Sequence, residues 1–127
     1  MIGVASAAAA MGEGSLMARL QGPPKENILI LWQEAFVAAE ADAARGDYDS
    51  AIRRLEQTLE KVGGLTGPGI DHLLPKTLGL LGTLHYRAGD RDQAHEFTLK
   101  AKAYCERIGD REGAEIYARN LTTIDAV

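Results

Sequence analysis

The stretch Gly46-Asp47-Tyr48-Asp49-Ser50-Ala51 returns 43 residues later as Gly89-Asp90-Arg91-Asp92-Gln93-Ala94. Each copy has the chemistry of a tight turn between two helices. Glycine takes the positive φ that ends a helix without steric cost. The aspartates that follow favour the positive dipole end of the next helix. The small alanine one turn further lets two backbones approach closely. A third Gly-Asp pair, Gly109-Asp110, closes another helical run.

Apolar residues on both sides of these turns recur at spacings of three and four, the helical period. The first run extends from Glu26 to Arg45. The second carries Tyr48, Ala51, Ile52, Leu55, Thr58, Leu59 and Val62 on one face, and Gly63-Gly64 stop it. A loop from Leu65 to Ile70 is expected next. The third helix is expected to start near Pro75, since proline is tolerated in a first helical turn. Its inner face reads Leu78, Leu81, Gly82 and His85. The fourth helix places Ala94, Phe97, Ala101, Tyr104, Cys105 and Ile108 inward, and the fifth Ala114, Tyr117, Ala118 and Leu121. No segment alternates with the period of two that marks strands.

The expected fold class is therefore all-α, made of stacked antiparallel helix hairpins. Residues 1–24 read as a separate Ala- and Gly-rich segment or capping helix. A weak helix over Ser15 to Leu20 is expected there, and Gln21-Gly22-Pro23-Pro24 ends the segment. Residues 25–127 read as the helical repeat domain.

The bulk properties agree with one helical domain. The chain has 127 residues, 6% aromatics and a formal net charge of −4. A mildly acidic chain lacks the positive field that drives nucleic-acid binding. The single cysteine, Cys105, allows no internal disulfide and no multi-cysteine zinc site. The N-terminal alanine run is short, and no Lys or Arg precedes it, which argues against a secretory leader. No stretch approaches the ~20 apolar residues of a membrane span. A cytoplasmic setting is the resulting expectation.

These residues resemble the tetratricopeptide repeat (TPR), in which Leu-Gly lies late in a first helix and Ala early in a second. Leu81-Gly82 matches the first feature, and Ala94 with Ala101 the second. In the first unit Ala38-Ala39 stands for Leu-Gly, and Ala51 with Leu55 matches the second helix. Asn120-Leu121 matches the middle of a third first-type helix. Units fall near 27–63, 71–109 and 110–127, about two and a half repeats. The period of 43 exceeds the usual ~34 and is similar to the long repeats of the kinesin light chain type and of bacterial regulators. The phrase Asp71-His72-x2-Pro75-x2-Leu78-x2-Leu81-Gly82 adds to that likeness. Asp42 and His85 depart from it, standing where the family prefers tyrosine.

The resemblance implies a right-handed superhelix whose first-type helices line a concave groove for a partner peptide or helix. On this chain the groove would comprise Gln33, Phe36 and Glu40, then Lys76, Thr83, Tyr86 and Arg87, then Arg119, Asn120 and Thr123. Lys76, Arg87 and Arg119 would make it partly basic and suited to an acidic-leaning ligand. Phe36 and Tyr86 would serve as anchors, aromatics being common carriers of interface energy. Phe36 and Glu40 argue against the chaperone-tail carboxylate clamp of some family members, because a glutamate repels a carboxylate. The expected role is a protein-binding adaptor or scaffold. The alternative is a module that dimerises through its C-terminal edge, where Ile116, Ile124 and Val127 are expected to be exposed.

No enzyme is expected, and neither a cofactor nor a metal. His72, His85 and His95 show no metal-ligand spacing, and no HExxH, CxxC or phosphate-binding glycine loop occurs. Cys105 reads as a buried small hydrophobe rather than a reactive thiol.

Overall fold

The computed structural model describes residues 24–126, and side chains from Asn27 onward. The expected helix over Ser15 to Leu20 and the exposed Val127 lie outside the described residues. Five helices follow one another: α1 (Pro24–Ala44), α2 (Tyr48–Val62), α3 (Pro68–Arg87), α4 (Arg91–Ile108) and α5 (Arg111–Asp125). Among the described residues there is no strand, and no helix is long and apolar enough to cross a membrane.

The three Gly-Asp pairs build one turn three times. Gly46, Gly89 and Gly109 have φ of 82°, 94° and 80°. The next residue's N–H then donates back across the turn: Asp47 to Asp42 O at 2.9 Å, Asp90 to His85 O at 2.8 Å and Asp110 to Cys105 O at 2.8 Å. That six-to-one bond satisfies a carbonyl the helix end would leave free. The same aspartates are the N-caps of the following helices. Their carboxylates accept from Ser50 N at 3.3 Å, Gln93 N at 3.1 Å and Gly113 N at 3.0 Å. One residue thus closes one helix and opens the next, and each such cap stabilises by about 1 kcal/mol.

The expected start of the third helix is corrected. α3 begins at Pro68, behind Gly67 with φ 127°, and Pro75 lies inside it. Pro68 meets the first-turn preference as well as Pro75 does. The added turns bury Ile70 and Leu73. Pro75 has no N–H for the carbonyl of Asp71 four residues back. The ring is nonetheless buried, and Tyr117 donates to the Pro75 carbonyl at 3.2 Å.

The core joins Ala39, Ala51, Leu55, Leu81 and Leu84, with Ile52, Leu59 and Phe97 against it. Contacts fix the relative directions of the helices. Trp32, fully buried, donates from Nε1 to Thr77 Oγ1 at 2.8 Å, and further along both helices Ala39 joins Leu81 and Leu84. α1 and α3 therefore run the same way. So do α3 and α5, since Pro75 and Gly79 meet Tyr117 while Thr83 and Tyr86 meet Asn120 and Thr123. α4 runs against both: Gly82 meets Thr98 and Asp71 meets Tyr104, while Cys105 meets Gly113 and Arg91 meets Ile124. The result is a succession of antiparallel hairpins whose first helices are parallel.

Candidate functional site

The parallel pair α3 and α5 leaves a seam, and α4 forms its floor. Two glycines permit the close approach. At Gly79 a methyl group would strike the ring of Tyr117, which crosses from α5 onto α3. At Gly82 it would strike Thr98 Oγ1 on α4. The sequence reading turns Tyr117 inward, and its hydroxyl reaches across to α3. By crossing Gly79 it divides the seam into two depressions.

The first lies toward the C-terminal ends of the two helices. It has a volume of about 140 Å³ and is lined by Thr83 and Tyr86 of α3, Thr98 of α4, and Asn120, Thr123 and Ile124 of α5. Four of the expected groove residues, Thr83, Tyr86, Asn120 and Thr123, are brought together here. Tyr86 is 42% exposed, so its ring is available at the mouth. The threonines turn their hydroxyl protons inward: Thr83 donates to Gly79 O at 3.3 Å and Thr123 to Arg119 O at 3.4 Å. Their methyls and oxygens are what they offer to a ligand. Arg87 and Arg119, next in sequence to Tyr86 and Asn120, are exposed and have no ion pair among the described residues.

The second depression lies toward the N-terminal ends and encloses about 230 Å³. Pro75, Ile116 and Tyr117 supply apolar walls, Cys105 the floor, and Asp71, Asp110 and Glu112 the charge. Lys76 stands at its edge with His72, Nζ to Nε2 at 3.5 Å. Lys76 is therefore set among carboxylates and does not extend a basic surface toward Arg87 and Arg119. Asp71 accepts from the Tyr104 hydroxyl at 2.6 Å. That bond and, first of all, burial raise the Tyr104 pKa. Cys105 is 1% exposed, and burial followed by the nearby Asp110 charge pushes its thiol pKa up. A raised thiol is mostly protonated at neutral pH and a poor nucleophile.

Gln33, Phe36 and Glu40 of α1 are not brought into either depression. Gln33 and Glu40 are exposed, and Phe36 is partly buried. The expected C-terminal edge needs a correction. Ile116 is 41% exposed, but Ile124 is only 5% exposed. It follows Tyr117 and Leu121 at helical spacing and so shares their inward face. Arg91 of α4 binds its carbonyl from Nε at 3.0 Å.

Asp71, Pro75, Thr98, Asp110, Glu112 and Tyr117 were not expected at a site. Once α3 is begun at Pro68, Asp71, Pro75 and Gly79 fall one turn apart on one face, and that spacing is the signal that finds the second depression. Among the described residues no group of His, Cys, Asp and Glu is placed to hold a metal ion. No family model matches the chain, and no curated protein or solved structure matches it either.

Proposed function

We propose that this chain is a non-catalytic adaptor of tetratricopeptide type, which holds a partner peptide or helix along the concave face of its stacked hairpins. The observation that carries the reading is the α3–α5 seam. Two parallel first-type helices, with Gly79 and Gly82 on α3, leave an open trough over α4 with the exposed Tyr86 at one end, and the exposed Arg87 and Arg119 adjoin its lining residues in sequence. Tyrosine and arginine at the rim of a pocket are the residue types that most often dominate interface energy. Parallel first helices of successive hairpins also build a right-handed superhelix in repeat proteins, and its concave side is a peptide surface. Of the dimer reading's apolar patch, Ile116 is exposed and Ile124 is buried, which does not favour that reading.

The test compares proteins co-purified from lysate by the tagged wild type and by a Tyr86→Ala/Arg87→Glu/Arg119→Glu variant. All three side chains are exposed, so the variant should keep its helical spectrum and lose the partner. A partner retained by the folded variant would move the site away from the seam. A wild type that brings down only itself would sink the adaptor reading.

A further inference from the structure

The second depression has a chemistry that narrows what a bound segment must carry. Its charged groups are mainly acidic. Asp71, Asp110 and Glu112 contribute three carboxylates, the first already accepting from Tyr104 and the second from Gly113 N, against the Lys76 ammonium and the His72 imidazole beside it. Pro75 leaves the Asp71 carbonyl without the N–H an α-helix would supply, and Asp71 and Pro75 line the same wall. The Tyr117 hydroxyl proton is already committed to the Pro75 carbonyl at 3.2 Å. Glu112 has no hydrogen bond or ion pair among the described residues. The remaining walls, Pro75, Ile116 and Tyr117, are apolar. At about 230 Å³ the space is below the roughly 300–1,000 Å³ of small-molecule pockets. It suits one long side chain with an aliphatic stem and a multi-donor cationic head.

The geometry points to this cleft as a subsite for a lysine or arginine side chain of the bound partner segment, which rests on the adaptor reading and adds a sequence requirement to it. Charge complementarity selects the head group and the apolar walls cover the stem. The seam also gives a spacing. Pro75 and Tyr86 lie about 16 Å apart along α3 at 1.5 Å per residue. An extended segment covers that distance in about five residues. The partner's cationic residue therefore lies about five positions from the one that seats beside Tyr86.

The test needs no partner. The full chain, labelled with 15N, is titrated with Nα-acetyl-arginine N-methylamide and separately with its neutral citrulline counterpart. The arginine probe should give saturable shifts at the amides of Lys76, Gly113 and Tyr117 that shrink as sodium chloride is added. In Glu112→Gln, an exposed position that leaves the fold alone, the same probe should bind about 2- to 5-fold more weakly. Equal shifts with the citrulline compound, or no shifts at these amides, would overturn the subsite. If partner capture at Tyr86 persists in that case, only the cation requirement falls. If the probe binds and no partner is ever captured, the cleft stands and the adaptor reading fails.

Discussion

The first and second hairpins share a turn, a register and a core, yet hold themselves together with different chemistry. Positions 43 residues apart are structural counterparts. Asp42 and Arg54 in the first hairpin correspond to His85 and Phe97 in the second. In the first, Asp42 is 4% exposed and its carboxylate takes Arg45 at 2.5 Å and Arg54 at 3.1 Å. In the second, the His85 and Phe97 rings stack with centroids 5.4 Å apart and planes 5° from parallel. One level deeper, Ala39 and Leu55 share the core cluster at the positions where the second hairpin has Gly82 against Thr98. The turn sets where the helices meet, and the side chains at the meeting point are exchangeable so long as size and polarity are matched as a pair.

The largest effect should come from breaking that match at Gly82. Gly82→Ala copies the residue of the first hairpin but not its partner. The new methyl would strike Thr98 Oγ1 and lie 3.3 Å from both Ala94 O and Thr98 N, which are backbone atoms of α4 and cannot swing away. Overpacking of this kind should cost about 2–3 kcal/mol in a urea denaturation. A loss under about 0.5 kcal/mol would mean that α3 and α4 are not this closely opposed.

The ionic cluster should respond less. Arg54→Ala leaves Asp42 with Arg45 alone, and since Arg54 is partly exposed the loss should be about 1 kcal/mol. The sharper experiment transplants the second hairpin's pair into the first as Asp42→His/Arg54→Phe. The double variant should return to within about 0.5 kcal/mol of wild type while each single change is worse, a coupling that a double-mutant cycle reads directly. Additive losses would show that the two hairpins are not equivalent at this point.

A smaller effect of opposite sign is expected at His85. Its Nε2 is buried and makes no hydrogen bond among the described residues. His85→Phe keeps a ring against Phe97 and removes the unsatisfied nitrogen, so it should stabilise the chain by about 0.5–1 kcal/mol. Destabilisation of that size would mean that the nitrogen has a partner in solution.

The Gly-Asp turns made the hairpins legible in the sequence, because each pair specifies both a positive φ and an N-cap. Helical spacing located most of the core for the same reason, since Leu55, Leu81 and Ala94 occur at repeating intervals. The start of α3 was not legible. Pro68 and Pro75 satisfy the same first-turn rule, and only the burial of Ile70 and Leu73 by their neighbours decides between them. That error hid the acidic cleft, since Asp71 and His72 of its α3 wall lie before the expected helix start. At the other end, Thr83, Tyr86, Asn120 and Thr123 could be grouped from the sequence because they oppose the inner faces of two well-defined helices, and they line one depression. The contact of Tyr117 with α3 was not legible, because periodicity gives the direction of a side chain from its own helix, and the gap opened by Gly79 on another helix settles what it touches.

The smallest effect is a pH dependence from the floor of the seam. Cys105, Tyr104 and Tyr117 all have raised pKa values, with burial the largest cause in each. The unfolded chain gives up the thiol proton near its ordinary 9.0 and the phenol protons near 10.0, while the folded chain holds them to higher pH. In that interval the unfolded state binds fewer protons, so stability falls as pH rises. The contribution is complete below pH 9, begins to decline there through Cys105, and declines further from pH 10 through the tyrosines. Urea midpoints taken from about pH 8 to 10.5 should show both onsets. Cys105→Ala should remove the first and keep the second. Equal slopes for the two proteins between pH 9 and 10 would place the thiol in water, and with it the floor of the cationic subsite.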